Sequence, residues 1–265
     1  MVKTSSIIFI AVSFLLSGML PIILAFTFHR KLNFLWKSVL IGALIFLIFQ
    51  VLTRVPLIGY LSQKIWFKEF QMKHFVLYGF LLSLTAGLCE EIGRFIGFKF
   101  FLQNHLTWGN GIGYGIGHGG LESVIFVGIN YLIYLIVSIV INTGHSLPSV
   151  FQPVMSLLTQ TPSYQFLLGG IERVFALTVQ IGLSLTVLYA VKNRKISFLF
   201  LAILLHTLLD FTAVLISKNV LLAESVVGVF AIISFMWIFK SKRCFEVNTS
   251  PMQKIENEKG NNENN

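Results

Sequence analysis

Five acidic residues stand in stretches that are otherwise apolar: Glu90, Glu91, Glu122, Glu172 and Asp210, the last being the only aspartate among 11 acidic residues. Glu69 and Glu224 lie near segment ends, and Glu246, Glu256, Glu258 and Glu263 fall in the polar C-terminal stretch. The spacing around the five is regular. Glu90 and Arg94 are four apart, Glu91 and Arg94 three apart, and His118–Glu122 and His206–Asp210 are each four apart. Residues at those spacings share one face of a helix. Glu172 is followed at once by Arg173. Three helices therefore each present an acid with a base or histidine on one stripe, and a fourth carries an adjacent acid–base pair. A charge at the centre of a membrane helix costs roughly 2.5–3.5 kcal/mol on insertion scales, so such stripes turn inward. Buried carboxylates with imidazoles suit three kinds of chemistry. They can activate a water and stabilise an oxyanion, hold a zinc ion, or pass protons in a transporter.

The elements that must position these residues follow from hydropathy. Hydrophobic residues make up 55% of the 265 and charged residues 12%, with a mean hydropathy of +0.79. A soluble domain carries roughly 25% charged residues, so most of the chain is solvated by lipid. A bilayer core needs about 20 apolar residues in a helix. That ruler predicts an all-α polytopic transmembrane helix bundle with about seven spans, near 6–28, 37–59, 74–100, 112–140, 166–191, 196–217 and 220–239. Residues 1–240 form a single transmembrane helical domain, and the Asn-, Glu- and Lys-rich residues 241–265 read as a disordered polar cytoplasmic tail.

Basic residues orient the bundle. Arg30, Lys31 and Lys37, then Lys192, Arg194 and Lys195, then Lys240, Lys242 and Arg243 all fall on one side if there are seven spans. The stretch 141–165, without Lys or Arg, falls on the other. The expectation is a multi-pass protein of the cell membrane with its N-terminus outside and its C-terminus cytoplasmic. Lys64, Lys68 and Lys73 dissent. The first apolar run, Ser6 to Phe28, exceeds a leader core and lacks a small-x-small cleavage site, so it reads as a retained helix. The net charge of +9 reflects basic loops, and no basic patch interleaved with aromatics points to nucleic acid. Cys89 and Cys244 sit at different depths, which argues against a disulfide; Cys89 reads as a small buried hydrophobe. His29, His74, His105 and His145 lie near span ends and read as solvated.

The segment GNGIGYGIGHGG, from Gly109 to Gly120, contains a G-x-G-x-x-G spacing at Gly115, Gly117 and Gly120. No strand precedes it and no βαβ unit surrounds it, so it is not a nucleotide site. Two readings stay open: tight helix packing, or a loosened helix start that lets a substrate backbone approach His118.

CEEIGRF (Cys89–Phe95), YGIGHGGLES (Tyr114–Ser123), ERVFA (Glu172–Ala176) and HTLLD (His206–Asp210) together resemble the YhfC family of bacterial membrane proteins. That family is regarded as a set of glutamic-type intramembrane proteases, similar at a distance to the CPBP (CAAX protease and bacteriocin-processing, or Abi) superfamily. The resemblance covers about 74 to 215. The superfamily pattern is EExxxR, an aromatic ahead of a histidine, and Hxxx(N/D). Tyr114 with His118, and His206 with Asp210, match the second and third elements. Glu90, Glu91 and Arg94 are one residue short of the first, so either glutamate could be the base. Related chains carry a histidine about eight residues after the ER pair; Gln180 stands there, so that position is left out of the catalytic set.

The resemblance implies an intramembrane endopeptidase acting on a peptide or membrane-protein substrate within the lipid bilayer, without cofactor. Glu90, Glu91, His118 and His206 would be catalytic. Glu90 or Glu91 with His118 would activate water, and His206, oriented by Asp210, would stabilise the oxyanion. Arg94 would fix the other glutamate, Glu122 would orient His118, and Glu172 and Arg173 would serve as scaffolding. The rivals are a zinc-dependent protease, for which HExxH is absent but the ligands suffice, a transporter or proton relay, which no inverted repeat supports, and a catalytically idle immunity-type protein. No Gly-x-Ser-x-Gly-like element pairs with a histidine, so a serine protease lacks support.

Overall fold

The structure, a computed structural model, describes residues 1–246. Seven helices are long and apolar enough to cross a membrane: Thr4–Leu32, Trp36–Ser62, Phe75–Phe101, Trp108–Asn142, Ser163–Lys192, Ser197–Ile216 and Val220–Phe245. They are called the first to seventh spans below. No strand occurs among the described residues. Helices satisfy every backbone polar group internally, which lipid demands.

The first, second, fourth and fifth spans start earlier and end later than hydropathy alone places them, whereas the sixth, Ser197–Ile216, is one residue shorter at each end. The fourth begins at Trp108 because the Thr107 side chain accepts the backbone N–H of Asn110 at 3.2 Å, an N-cap that an apolar window cannot register. The seventh helix continues to Glu246, so residues 241–246, assigned above to the tail, are helical; residues 247–265 lie outside the described residues. Two short helices, Ile65–Lys73 and Gln152–Gln160, fill connections that the sequence left blank. The first is started by Lys64 and carries Lys68 and Lys73, the lysines that dissent from the charge pattern. Its Ile65, Trp66 and Met72 are exposed while Phe67 is buried, the composition of a helix lying in a membrane interface.

The fifth span is the axis of the bundle. Two-thirds of its most apolar window is buried, against a third or less for every other span. It packs against the first, fourth and seventh spans, while the second pairs with the fourth and the third with the sixth. Small residues permit this. A Cβ at Gly117 would stand 2.0 Å from the Val39 carbonyl oxygen of the second span, and one at Gly115 would stand 2.6 Å from Ile181 Cα of the fifth. The glycine-rich start of the fourth span is thus a regular helix pressed between two neighbours. Tight packing is the reading that holds, and the space a substrate backbone would need there is filled by Val39 and Ile181.

Gly117→Ala should therefore lower stability by about 1–3 kcal/mol, the usual cost of overpacking, because the obstructing atom is backbone and cannot swing aside. Gly59→Ala in the second span, where a Cβ meets nothing within 4 Å, should leave the melting temperature unchanged. Melting of both variants in detergent checks this, and equal melting would contradict it.

Candidate active site

The third span delivers Glu90, Glu91 and Arg94 to the bundle interior, with side-chain exposures of 4%, 0% and 0%. The i,i+3 and i,i+4 geometry puts Arg94 against both acids: it donates through Nη1 to Glu91 and its Nη2 lies 3.6 Å from Glu90 Oε2. The fourth span brings His118, fully buried, whose Nε2 meets Glu90 Oε2 at 2.9 Å. Phe46 packs edge-on to that imidazole at 5.1 Å and Tyr114, one turn earlier, stacks beside it. The sixth span brings His206. Its Nδ1 meets Glu91 Oε1 at 2.6 Å, and its Nε2 lies 3.9 Å from Glu90 Oε2 and 3.7 Å from Asp210 Oδ2. The four residues assigned catalytic roles above, from three different spans, thus stand side by side.

The supporting residues divide differently from the sequence reading. Glu91, rather than Asp210, makes the hydrogen bond to His206; Asp210 is beyond hydrogen-bond reach and more than a third exposed. Glu122 makes no hydrogen bond to His118, despite sharing its helix face. It accepts from Arg173 Nη1 at 3.2 Å and from Gln180 Nε2 at 2.5 Å. Arg173 also donates to its neighbour Glu172, so Glu122, Arg173 and Glu172 form a second cluster.

Gln180, left out of the sequence-derived set, joins the two clusters. Its Oε1 accepts from Arg94, and its Nε2 donates to Glu122 and reaches Glu90 Oε2 at 3.4 Å. Arg54 was also passed over. It sits beside a widened turn of the second span and donates to the Leu82 carbonyl at 2.6 Å and to Thr85 Oγ1 at 3.3 Å, both on the third span. A pass for polar residues inside apolar runs, not only for acids and histidines, would have found both. His74, His105 and His145 are exposed as expected. His29 is half-buried and bonded to the Phe34 carbonyl. Cys89 and Cys244 are free, with Cys89 only partly buried.

The donor set suits zinc in type. His118 Nε2, His206 Nε2 and Glu90 Oε2 face one another, and the Glu91 carboxylate on His206 Nδ1 is the kind of partner that fixes the tautomer of a metal-bound imidazole. Glu91 Oε2 and His118 Nδ1 are buried without a partner, so the cluster holds hydrogen-bonding capacity that the protein itself does not use. As placed, the side chains bond one another, and among the described residues no three stand at ligand spacing around one point. Tetrahedral zinc would set nitrogen and oxygen ligands about 3.3 Å apart, between the 2.9 and 3.9 Å separations from Glu90 to the two imidazoles.

Comparison with known proteins agrees with this picture. A family model described as YhfC intramembrane metalloprotease matches residues 16–231. The chain is also 38% identical over 258 residues to an "Uncharacterized membrane protein YhfC" from Bacillus subtilis (strain 168), covering 93% of this chain and 100% of that protein. No solved structure matches. With seven spans in place and the motif residues of three of them gathered into one buried cluster, the chain belongs to the YhfC intramembrane metalloprotease family.

Proposed function

We propose that the chain is an intramembrane endopeptidase and that Glu90, His118 and His206 activate water for peptide-bond hydrolysis. The observation that carries this reading is the meeting of two histidines from different spans with adjacent glutamates, out of reach of bulk solvent. Glu90 is the base. Glu91 is occupied by Arg94 and His206, whereas Glu90 has one close partner, His118 at 2.9 Å, and stands 3.9 Å from His206 Nε2 without a direct bond to it. A water lying between Glu90 Oε2 and His206 Nε2 gives its proton to the carboxylate as it attacks the scissile carbonyl. His118, hydrogen-bonded to Glu90, holds that carboxylate in place and then passes the proton to the leaving amine. The His206 ring, as an imidazolium whose Nδ1–H is held by Glu91, donates its Nε2–H to the developing oxyanion. Arg94 balances the paired carboxylates throughout.

A second reading is favoured by the Glu91–His206 bond and by the family's description as metalloproteases. In it Glu90, His118 and His206, with Asp210 beside them, would hold a zinc ion. Such an ion supplies a Lewis acid that polarises a carbonyl and acidifies water.

One experiment separates them. Purified protein is incubated with a labelled membrane-spanning peptide, with and without a chelator, and its bound metal is measured in parallel. Cleavage unaffected by chelation, from protein with no stoichiometric metal, supports the metal-free centre. Cleavage lost on chelation and restored by zinc supports the metal centre. Absence of cleavage in both, with proton flux abolished by Glu90→Gln, would replace the peptidase with a proton relay. The basic-residue pattern supports a cytoplasmic C-terminus, and we propose that orientation too.

A further inference from the structure

The polar and apolar surroundings of the cluster lie on opposite sides of it along the bundle axis. From His118 the fourth span leads, one turn toward residue 142, to Glu122; from His206 the sixth leads, one turn toward residue 216, to Asp210. These two spans run in the same direction. The fifth runs the other way, and from Gln180 it leads, about two turns toward residue 163, to Arg173 and Glu172. All these side chains therefore lie toward the end of the bundle that carries connections 63–74, 143–162 and 217–219. Their exposure grows in that direction. Glu91 and Glu90 are 0% and 4% exposed, Glu122 is 15%, and Glu172 and Asp210 are 32% and 37%. Toward the opposite end the third span continues with Phe98 and Leu102, the fourth starts with Ile112 and Tyr114, and the fifth ends with Leu185 and Leu188. Five of these six are 0% exposed and the sixth, Ile112, is 4%.

Exposed carboxylates inside a bundle face water rather than lipid, since lipid penalises them. Phe98, Leu102, Leu185 and Leu188, apolar and fully buried, leave no room for water; the cavity of about 330 Å³ that Ile112 lines beside them is walled by apolar side chains except Lys31 and Thr178. We propose that water and substrate reach Glu90, His118 and His206 from the end carrying connections 63–74, 143–162 and 217–219, through a recess walled by Glu122, Arg173, Glu172 and Asp210, and that the other end is sealed. This rests on the peptidase reading of the cluster. It narrows the substrate to peptides whose scissile bond is delivered from that face. By the distribution of basic residues that face is the outer one, so such a substrate is a segment in the outer half of the membrane or beyond it.

The test uses single cysteines in the full chain with Cys89 and Cys244 replaced by serine, in sealed vesicles, and a charged maleimide that does not cross membranes. Ser149→Cys and native Cys244, each retained alone, report which face is accessible. Glu172→Cys and Asp210→Cys report the recess, and Leu185→Cys and Leu188→Cys the sealed side, with a melting curve taken for each. The expected result is that Glu172→Cys and Asp210→Cys label from the Ser149 face only, about tenfold or more faster than Leu185→Cys or Leu188→Cys label from either face, since maleimides need a water-exposed thiolate. Labelling of the recess cysteines from the Cys244 face, or no faster than the leucine positions from any face, overturns the proposal. If one recess variant does not fold, the other carries the test. Labelling requires no proteolysis, so the route can fail while the peptidase reading stands, and the reverse.

Discussion

Glu90→Gln should cut cleavage per folded molecule by about 10²–10⁴-fold, the usual worth of a general base, while leaving the protein inserted and at least as stable as its parent. Gln keeps the shape and removes a buried charge whose desolvation is costly, and its amide can still meet His118. His118→Ala should lose activity to a similar extent, because Glu90 Oε2 loses its 2.9 Å partner and the leaving amine loses its proton source. Glu91→Gln should behave differently. Arg94 and His206 both meet Glu91 Oε1, which a glutamine oxygen could still offer them, but the substitution removes the negative charge that balances the buried guanidinium, so stability should fall along with activity. The measurement is hydrolysis of a membrane peptide by each purified variant, with a melting curve beside it. Undiminished cleavage by both Glu90→Gln and His118→Ala would end the proposed chemistry, metal-bound or metal-free.

The pairings that the sequence displays are local, and those that decide the site are not. Glu90 and Glu91 with Arg94 were readable because their partners lie on one helix face within one turn. His118–Glu122 and His206–Asp210 have the same spacing, yet neither forms its expected hydrogen bond. Gln180 and Arg173, from another span, take Glu122, while Glu91 holds the His206 ring by Nδ1 and leaves Asp210 3.7 Å from its Nε2. Which helices become neighbours follows from close contacts such as Gly117 on Val39, and spacing along one helix cannot reveal it. Gln180 escaped notice because a neutral amide gives no charge signal, although an amide is the side chain that can accept from Arg94 and donate to Glu122 together. The seven spans were legible because lipid leaves no alternative to an apolar helix of sufficient length. The two connecting helices were not, since neither is long or uniformly apolar.

Arg94→Ala should cost about 3–5 kcal/mol, the typical penalty for stranding a buried charge. Arg94 is fully buried, donates to Glu91 and Gln180, and is the one arginine or lysine within 4 Å of both Glu90 and Glu91 among the described residues. Its removal leaves two adjacent carboxylates, 4% and 0% exposed, facing each other without it. Arg94→Lys keeps the charge but not the planar fork that reaches Glu91 through one nitrogen and Gln180 through another, so it should recover only part of the loss. The stronger check is a double substitution. If the penalty is electrostatic, Glu91→Gln added to Arg94→Ala removes one stranded charge, and the pair should be more stable than Arg94→Ala alone, a coupling that separate packing defects would not show. Gln180→Leu makes a third comparison. It breaks the bridge to Glu122 while leaving Arg94 its carboxylates, so its stability loss should be smaller, about 1–3 kcal/mol. Activity should still fall, because Glu90 loses the amide that approaches its Oε2. Urea or thermal unfolding in detergent, run on all four variants and the parent, reads these differences. An Arg94→Ala protein as stable as the parent would show that the carboxylates are not jointly charged in the folded state, and with that the role given to Arg94 would fall.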